Sequence, residues 1–334
     1  MKYAKVHKWD AQKAKLELRR IGVLDPNHLV FREGDYVFFP VTSDLGLDYA
    51  QLVECEGGLK HRRAHSIGEA LSSLLPPGEL SMLPSSYNVV GDICVLELPD
   101  ELLHRKDLIG EVILDTFPHV KVVCLKTQMV SGTFRTPGVK VIAGEKRTQT
   151  VHREFGCRYL LDVSNSYFSP RLGGERMRLA SQVRSSERVL VMFAGVGPYA
   201  VLCAKRSGAE VVACELNPHA VNYMRENVLM NKVDVEVVEG DVRRVTPELG
   251  FFDRIVMPLP KLADTFLDVA VKVLNPGGVI HFYCFARNSL EATAKLSETL
   301  GGLGYRPDIL SALECGSYSP CMSRYCVDFK LVRL

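Results

Sequence analysis

The residues of this 334-residue chain with the clearest chemical potential stand at the ends of apolar, strand-like runs. Phe193-Ala-Gly-Val-Gly-Pro-Tyr199 follows the run RVLVM and opens the helix-like stretch YAVLCAKRS. Gly195 and Gly197 permit positive φ and let a ligand approach the backbone with no Cβ in the way. With Ala200, the turn also fits the Gly-x-Gly-x-x-Ala pattern of dinucleotide sites. The next run, EVVACEL, reaches Glu215, a carboxylate able to accept both hydroxyls of a ribose, and then Leu216 and Asn217-Pro218. VEVVEGD reaches Asp241, an acceptor where an adenine amino group would lie, and DRIVM ends in the rigid Pro258-Leu259-Pro260. Each acid taken alone reads equally as a solvated strand end. In series at successive strand ends they read as a ligand site. A dinucleotide domain needs neither of the last two positions, whereas an S-adenosylmethionine pocket uses both.

The elements that must position these residues follow from hydrophobic periodicity. After Arg184, strand-like and helix-like runs alternate with short loops: RVLVMF, YAVLCAKRS, EVVACEL, HAVNYMRENVLM, VEVVEGD, DRIVM, ADTFLDVAVKVL, GVIHFYC and a helix at about 290–300. Such alternation means a parallel sheet covered on both faces, an α/β doubly wound fold. Earlier, residues 8–22 read as an amphipathic helix with Asp10 as N-cap and Gly22 as stop, and Tyr36–Val41 reads as a strand. The Ser-, Leu-, Pro- and Gly-rich stretch 66–88 marks a boundary. Residues 89–163 are strand-rich, with one helix at about 101–117. The organisation expected is a small N-terminal α+β module (1–66), a middle α+β domain (67–184) and the doubly wound domain (185–334).

No run approaches the ~18 apolar residues of a membrane span. The N-terminus carries charges where a signal peptide has its apolar core. Ten cysteines are scattered without a C-x-x-C pair, so no metal site is expected and a reducing cytoplasm is the simplest location.

Longer segments add specificity. Tyr167-Phe-Ser-Pro-Arg-Leu-Gly-Gly-Glu-Arg176, Met192-Phe-Ala-Gly-Val-Gly-Pro198, Glu215-Leu-Asn-Pro218, Asp253-Arg-Ile-Val-Met-Pro-Leu-Pro260 and Gly277-Gly-Val-Ile-His-Phe-Tyr283 resemble the archaeal and eukaryotic tRNA (guanine-37-N1)-methyltransferases. The resemblance spans nearly the whole chain. It implies a Rossmann-type methyltransferase domain, a middle domain beside the anticodon loop, and an N-terminal module touching the tRNA elbow. S-adenosylmethionine is the implied cofactor, tRNA the implied partner, and a monomer without membrane association the implied state.

Chemistry gives the matching residues a purpose. N1 of guanine is protonated at neutral pH, so methylating it takes a general base and a cation or donor for the charge developing on O6. The resemblance implies Glu175 as base and Arg135 against O6. It places Phe193 and Gly195 on the methionine side, Glu215 at the ribose, Asp241 at the adenine and Pro260 as a pocket wall, with Gly197, Leu216 and Asn217 also among the cofactor-binding residues. Tyr167 and Arg171 match positions beside cofactor and base. On residue types alone, Glu175 could instead pair with Arg171 or Arg178 on one helix face, and Arg135 could be a surface arginine.

One position departs from the pattern: Pro258 stands where the family usually has an Asn able to contact the target base, and Pro lacks the amide donor too. Some archaeal relatives with Pro there also methylate a tricyclic wyosine intermediate. Competing readings are an aminocarboxypropyl transferase of the wybutosine pathway, a nicotinamide-dependent oxidoreductase and a non-catalytic RNA-binding protein. The oxidoreductase lacks a convincing His or Tyr-Lys pair.

The formal net charge of +2 argues at first against a nucleic-acid partner. Its distribution reverses that: residues 121–184 carry an excess of eight positive charges and residues 1–30 an excess of four, while residues 185–260 carry an excess of two negative ones.

Overall fold

The computed structural model describes residues 1–43, 47–56, 58, 66–84, 87–127 and 138–334. They form two compact units, Met1–Ala70 and Leu71–Leu334.

In the first unit, helix Ala11–Arg20 turns Ala14 and Leu18 onto Ala4, Val6 and Phe39 of an antiparallel sheet. The sheet order is Phe31–Glu33, Tyr36–Pro40, Lys2–His7, Ala50–Glu54. The helix and the strand at Tyr36 match the sequence pattern. Lys2–His7 was hidden there because its Lys and His residues alternate with a buried face, a pattern easily read as a polar terminus.

The second unit begins with a four-stranded sheet of Asn88–Val90, Ile93–Leu96, Val122–Lys126 and Val139–Gly144. Helix Lys106–Thr116 crosses between its two parallel central strands. A hairpin, Gln149–Glu154 with Cys157–Asp162, follows. Then come β1 (Arg188–Val191), β2 (Glu210–Glu215), β3 (Glu236–Glu239), β4 (Phe252–Met257), β5 (Leu274–Ala286), β6 (Tyr305–Ser319) and β7 (Met322–Arg333), in the sheet order β3-β2-β1-β4-β5-β7-β6. The first five strands run parallel, and β7 lies antiparallel between β5 and β6. Val189, Leu190 and Val191 are fully buried, as are Val212, Ala213 and Cys214, because helices cover both faces. One continuous core runs through position 184: Ile93 and Val122 of the smaller sheet share it with Tyr159 of the hairpin and Val189 of β1.

The run ADTFLDVAVKVL is a helix only over Leu267–Ala270, preceded by a 3-10 turn at Ala263–Phe266. Its β-branched Val269, Val271 and Val273 weaken helix propagation, and the chain passes directly into β5. The sheet order reverses between β1 and β4. That reversal opens a crevice beyond their carboxyl ends, the place where open α/β sheets bind ligands.

Candidate cofactor and target-base site

The glycine turn fills that crevice. Met192 N–H bonds the Val256 carbonyl and Ala194 N–H the Cys214 carbonyl (both 2.9 Å), tying the turn to β4 and β2. Gly197, at φ +85°, caps helix α1 (Pro198–Ser207), with Pro198 in its first position. A Cβ on Gly197 would come within 2.8 Å of Met224 Cγ, so packing as well as φ demands glycine. Gly195 differs: at φ +58° its nearest neighbour would be the Tyr167 carbonyl at 3.7 Å, which leaves its face open to a ligand. Phe193 also holds a positive φ of 55° and rests edge-on against Phe266, with ring centroids 4.8 Å apart. Left-handed backbone in a side-chain-bearing residue is costly and concentrates at functional turns.

Glu215 ends β2 with its carboxylate gripped by three backbone N–H groups: Gly195 (2.7 Å), Asn217 (2.8 Å) and Leu216 (2.9 Å). Burial pushes this carboxyl above its ordinary range, and the three donors oppose the shift. Leu216 is exposed. Asn217 is buried, caps helix α2 (Pro218–Asn231) through His219 N–H, and donates to the Asn165 carbonyl (2.8 Å). Asp241, at the end of β3, accepts from Arg243 N–H (2.9 Å). Pro258, Leu259 and Pro260 follow β4 half-buried. Asn165 presents a buried Oδ1 with no partner in the protein. An oriented carboxylate, an open glycine face and an orphan acceptor suit a ligand with a ribose diol and a cationic amino-acid tail. The residues present therefore fit S-adenosylmethionine.

Glu175 lies on helix Gly173–Ala180, 8% exposed. Arg178 Nε and Nη2 grip its two oxygens at 2.7 and 2.8 Å, and the Tyr283 hydroxyl donates at 2.6 Å. Of the two arginines able to pair with it on one helix face, Arg178 does so and Arg171 stays exposed. Arg178 also binds Asp328 (2.6 Å), which accepts from His281 Nδ1 (2.6 Å). The other ring nitrogen of His281 faces Arg254 Nη1 at 2.7 Å, and Arg254 forks onto Glu187 at 2.7 and 2.9 Å. An arginine can only donate, so the neutral Nδ1–H tautomer is assigned to His281. Burial pushes its pKa down. For Asp328, burial favours the neutral acid, but His281 and Arg178 outweigh it and hold the carboxyl well below the usual range.

His281, Cys326 and Asp328 also group with metal-ligand spacing. Arg178 and Arg254 flank them, which reads as a buried ion-pair chain rather than a cation site.

Tyr283 lies 6.0 Å from Tyr199, the second residue of α1, which links Glu175 to the glycine turn. Tyr167 is 44% exposed and accepts from Arg324 (3.3 Å). Arg135 lies outside the described residues. Sequence reasoning missed Asn165, Tyr283, His281 and Asp328. The only signal for the last two was a charged or titratable residue inside an otherwise apolar strand.

The sheet order, glycine turn and carboxylates at successive strand ends define a Rossmann-type methyltransferase. Residues 150–300 match the TRM5/TYW2 methyltransferase domain, residues 67–148 the TYW2 N-terminal domain and residues 5–46 the tRNA methyltransferase 5 N-terminal domain. The chain is 37% identical over 322 residues, 94% of each chain, to tRNA (guanine(37)-N(1))-methyltransferase Trm5b of Pyrococcus abyssi. It is 40% identical over 201 residues, 58% of this chain and 76% of the relative, to tRNA 4-demethylwyosine(37)-methyltransferase Taw21 of Saccharolobus solfataricus. The solved complex of aTrm5 with tRNALeu superposes with a TM-score of 0.80 at 30% identity, covering 98% of this chain and 99% of that one. The chain belongs to the TRM5/TYW2 methyltransferase family.

Proposed function

We propose that this protein methylates N1 of guanosine 37 in tRNA, 3′ of the anticodon, with S-adenosylmethionine as donor. The carrying observation is the buried Glu175, joined through Tyr283 to the helix that begins at the glycine turn. When bound, the cofactor supplies an electrophilic methyl group on a sulfonium, so the transfer itself needs no metal. A carboxylate offers about four acceptor positions. Arg178 and Tyr283 occupy three of those on Glu175, leaving one to accept the N1 proton as N1 bonds to the methyl carbon.

Arg135 is assigned to the developing charge on O6, and Tyr167, Arg171 and Pro258 to the rim where base and cofactor meet. Phe193, Gly195 and Gly197 shape the methionine end, Glu215 with Leu216 and Asn217 holds the ribose, and Asp241 and Pro260 bound the adenine. The positive excess of residues 121–184 supports contact with the anticodon stem-loop, and that of residues 1–30 supports contact of the 1–66 module with the elbow. Residues 67–184 are assigned as the middle RNA-binding domain and 185–334 as the cofactor-binding one; the two share a continuous core, and the first supplies Glu175 to the site. All ten cysteines are free, which supports a reducing cytoplasm. No helix among the described residues is long and apolar enough to cross a membrane. A monomer is proposed, and sedimentation of the purified chain tests it.

A second reading, in which the chain also methylates a tricyclic guanosine derivative, is favoured by Pro258 and by the similarity to Taw21. Pro258 removes a side-chain amide and a backbone donor from the base pocket.

The test is double-label transfer. The protein is incubated with an unmodified tRNA transcript and S-adenosylmethionine labelled either in the methyl group or in the aminocarboxypropyl chain. Methyl label alone entering tRNA supports the proposal. Chain label entering tRNA selects aminocarboxypropyl transfer, and no transfer refutes both.

A further inference from the structure

Arg324 stands beside Tyr167 with most of its hydrogen-bonding capacity unused. It sits on β7 opposite Phe285 of β5, with its guanidinium 5.6 Å from the Phe285 ring centroid. Phe285 is in turn packed on Tyr318, centroids 4.2 Å apart. Stacking on an aromatic face leaves the planar N–H fork free to point at a partner. Yet the fork is underused: Nη2 makes a long 3.3 Å bond to the Tyr167 hydroxyl, and Nε is buried with no partner. Among the described residues, Arg324 makes no ion pair.

Three other arginines of this region that are buried or partly so are compensated. Arg176 forks onto Glu154, Arg178 binds Glu175 and Asp328, and Arg254 binds Glu187. Arg324 is half-buried with its Nε sealed from water, and a buried donor without a partner is costly.

Its position is informative. Burial, then Glu175, push the Cys315 thiol up to about 12, while Arg324 and Arg178 pull it the other way. Geometry says the same: Arg324 is two residues before Cys326 on β7, opposite the strand of Tyr283, whose hydroxyl holds Glu175, and its Nη2 reaches Tyr167, whose carbonyl faces Gly195. The Tyr199 hydroxyl, buried and also unpartnered, belongs to a ring 6.0 Å from that of Tyr283, which holds Glu175.

We propose that Arg324 is a further substrate-binding residue, whose missing counter-charge is an oxygen of the target nucleotide. That oxygen belongs either to its flanking phosphate or to the purine carbonyl on which negative charge develops. Both chemistries suit a stacked guanidinium fork, and both place the nucleotide between Tyr167 and Glu175. The inference rests on the reading of Glu175 as part of the base site.

The experiment uses the full chain and its Arg324→Gln and Arg324→Lys variants. Three quantities are measured: affinity for S-adenosylhomocysteine, affinity for a tRNA transcript across a salt series, and the single-turnover methylation rate. The Gln variant should lose about tenfold or more in tRNA affinity or in rate, with S-adenosylhomocysteine binding and the thermal midpoint unchanged. The Lys variant, charged but without the fork, should fall between Gln and wild type. Weaker binding with a salt slope reduced by about one identifies a phosphate. Unchanged binding with a slower rate identifies the purine oxygen.

A Gln variant within twofold of wild type in both tRNA affinity and rate overturns the proposal. So does a loss matched by an equal loss of S-adenosylhomocysteine binding, which marks a structural role. If Arg324→Gln does not fold, a Lys variant indistinguishable from wild type overturns it. A wild-type chain that binds tRNA but methylates nothing refutes the proposed function, while the affinity measurements still judge Arg324.

Discussion

Replacing Asn227 by Ala should loosen the glycine turn from behind. Asn227 is fully buried on α2; its Oδ1 accepts from Leu160 N–H at 2.7 Å, and its Nδ2 donates to the carbonyls of Leu160 (3.0 Å) and Val196 (2.9 Å). Four residues on, Asn231 makes the same paired bonds to Arg158, at 2.9 and 2.6 Å. Four helical residues rise about 6 Å, and two strand residues about 6.6 Å, so two amides on one helix face serve as a substitute strand along the hairpin edge. Asn227 alone reaches past the hairpin to Val196, within the turn itself. Asn227→Ala orphans the buried Val196 carbonyl and both polar groups of half-buried Leu160. At about 1–3 kcal/mol for a fully buried group and less where water can enter, the loss should total roughly 2–4 kcal/mol.

Urea denaturation reads that loss, and titration calorimetry reads S-adenosylhomocysteine affinity. Asn231→Ala is the comparison: it should cost stability while leaving cofactor affinity near wild type. The reasoning is refuted if Asn227→Ala costs under about 0.5 kcal/mol, within the range of an ordinary surface change. It is refuted equally if the two variants weaken cofactor binding alike.

Three further outcomes are expected. Glu175→Gln should lower the single-turnover methylation rate by about 10²–10⁴-fold, the usual contribution of a general base, with cofactor affinity retained; an unchanged rate removes Glu175 as the base. Gly197→Ala should destabilise the fold by about 1–3 kcal/mol, because φ is +85° and the new Cβ would meet Met224; a neutral effect on the urea midpoint would contradict the packing. Stability should fall as pH drops below about 6.5, because buried His281 has a depressed pKa and stays neutral while the unfolded chain takes up a proton. Its contribution is complete above the unfolded value and lost on acidification, before the carboxylates titrate. Urea midpoints at pH 7.5 and 5.5 that coincide would contradict this.

Much of the cofactor crevice was legible in the sequence because it is local. The turn from Phe193 to Tyr199, Glu215 and Asp241 each lie a residue or two beyond an apolar run, and the sheet carries those ends to one edge. The surroundings of Glu175 were not legible in the same way. Glu175 owes its setting to Tyr283 and, through Arg178, to Asp328, residues more than a hundred positions away whose contact depends on β7 lying against β5. The long edge strand β6 left little trace, since its exposed, mixed surface breaks the alternation that marks a half-buried strand. Asn227 and Asn231 read as ordinary polar helix residues until the hairpin they complete is in view.

Glu175 and the crevice beside it are proposed to direct a methyl group to one nitrogen of one base. Nucleoside mass spectrometry of a tRNA transcript after reaction, with the modified position mapped by nuclease digestion, tests this most directly. The expected product is 1-methylguanosine at position 37, and none when that guanosine is replaced by adenosine. Methylation at another nitrogen, or at another position of the same transcript, would contradict it.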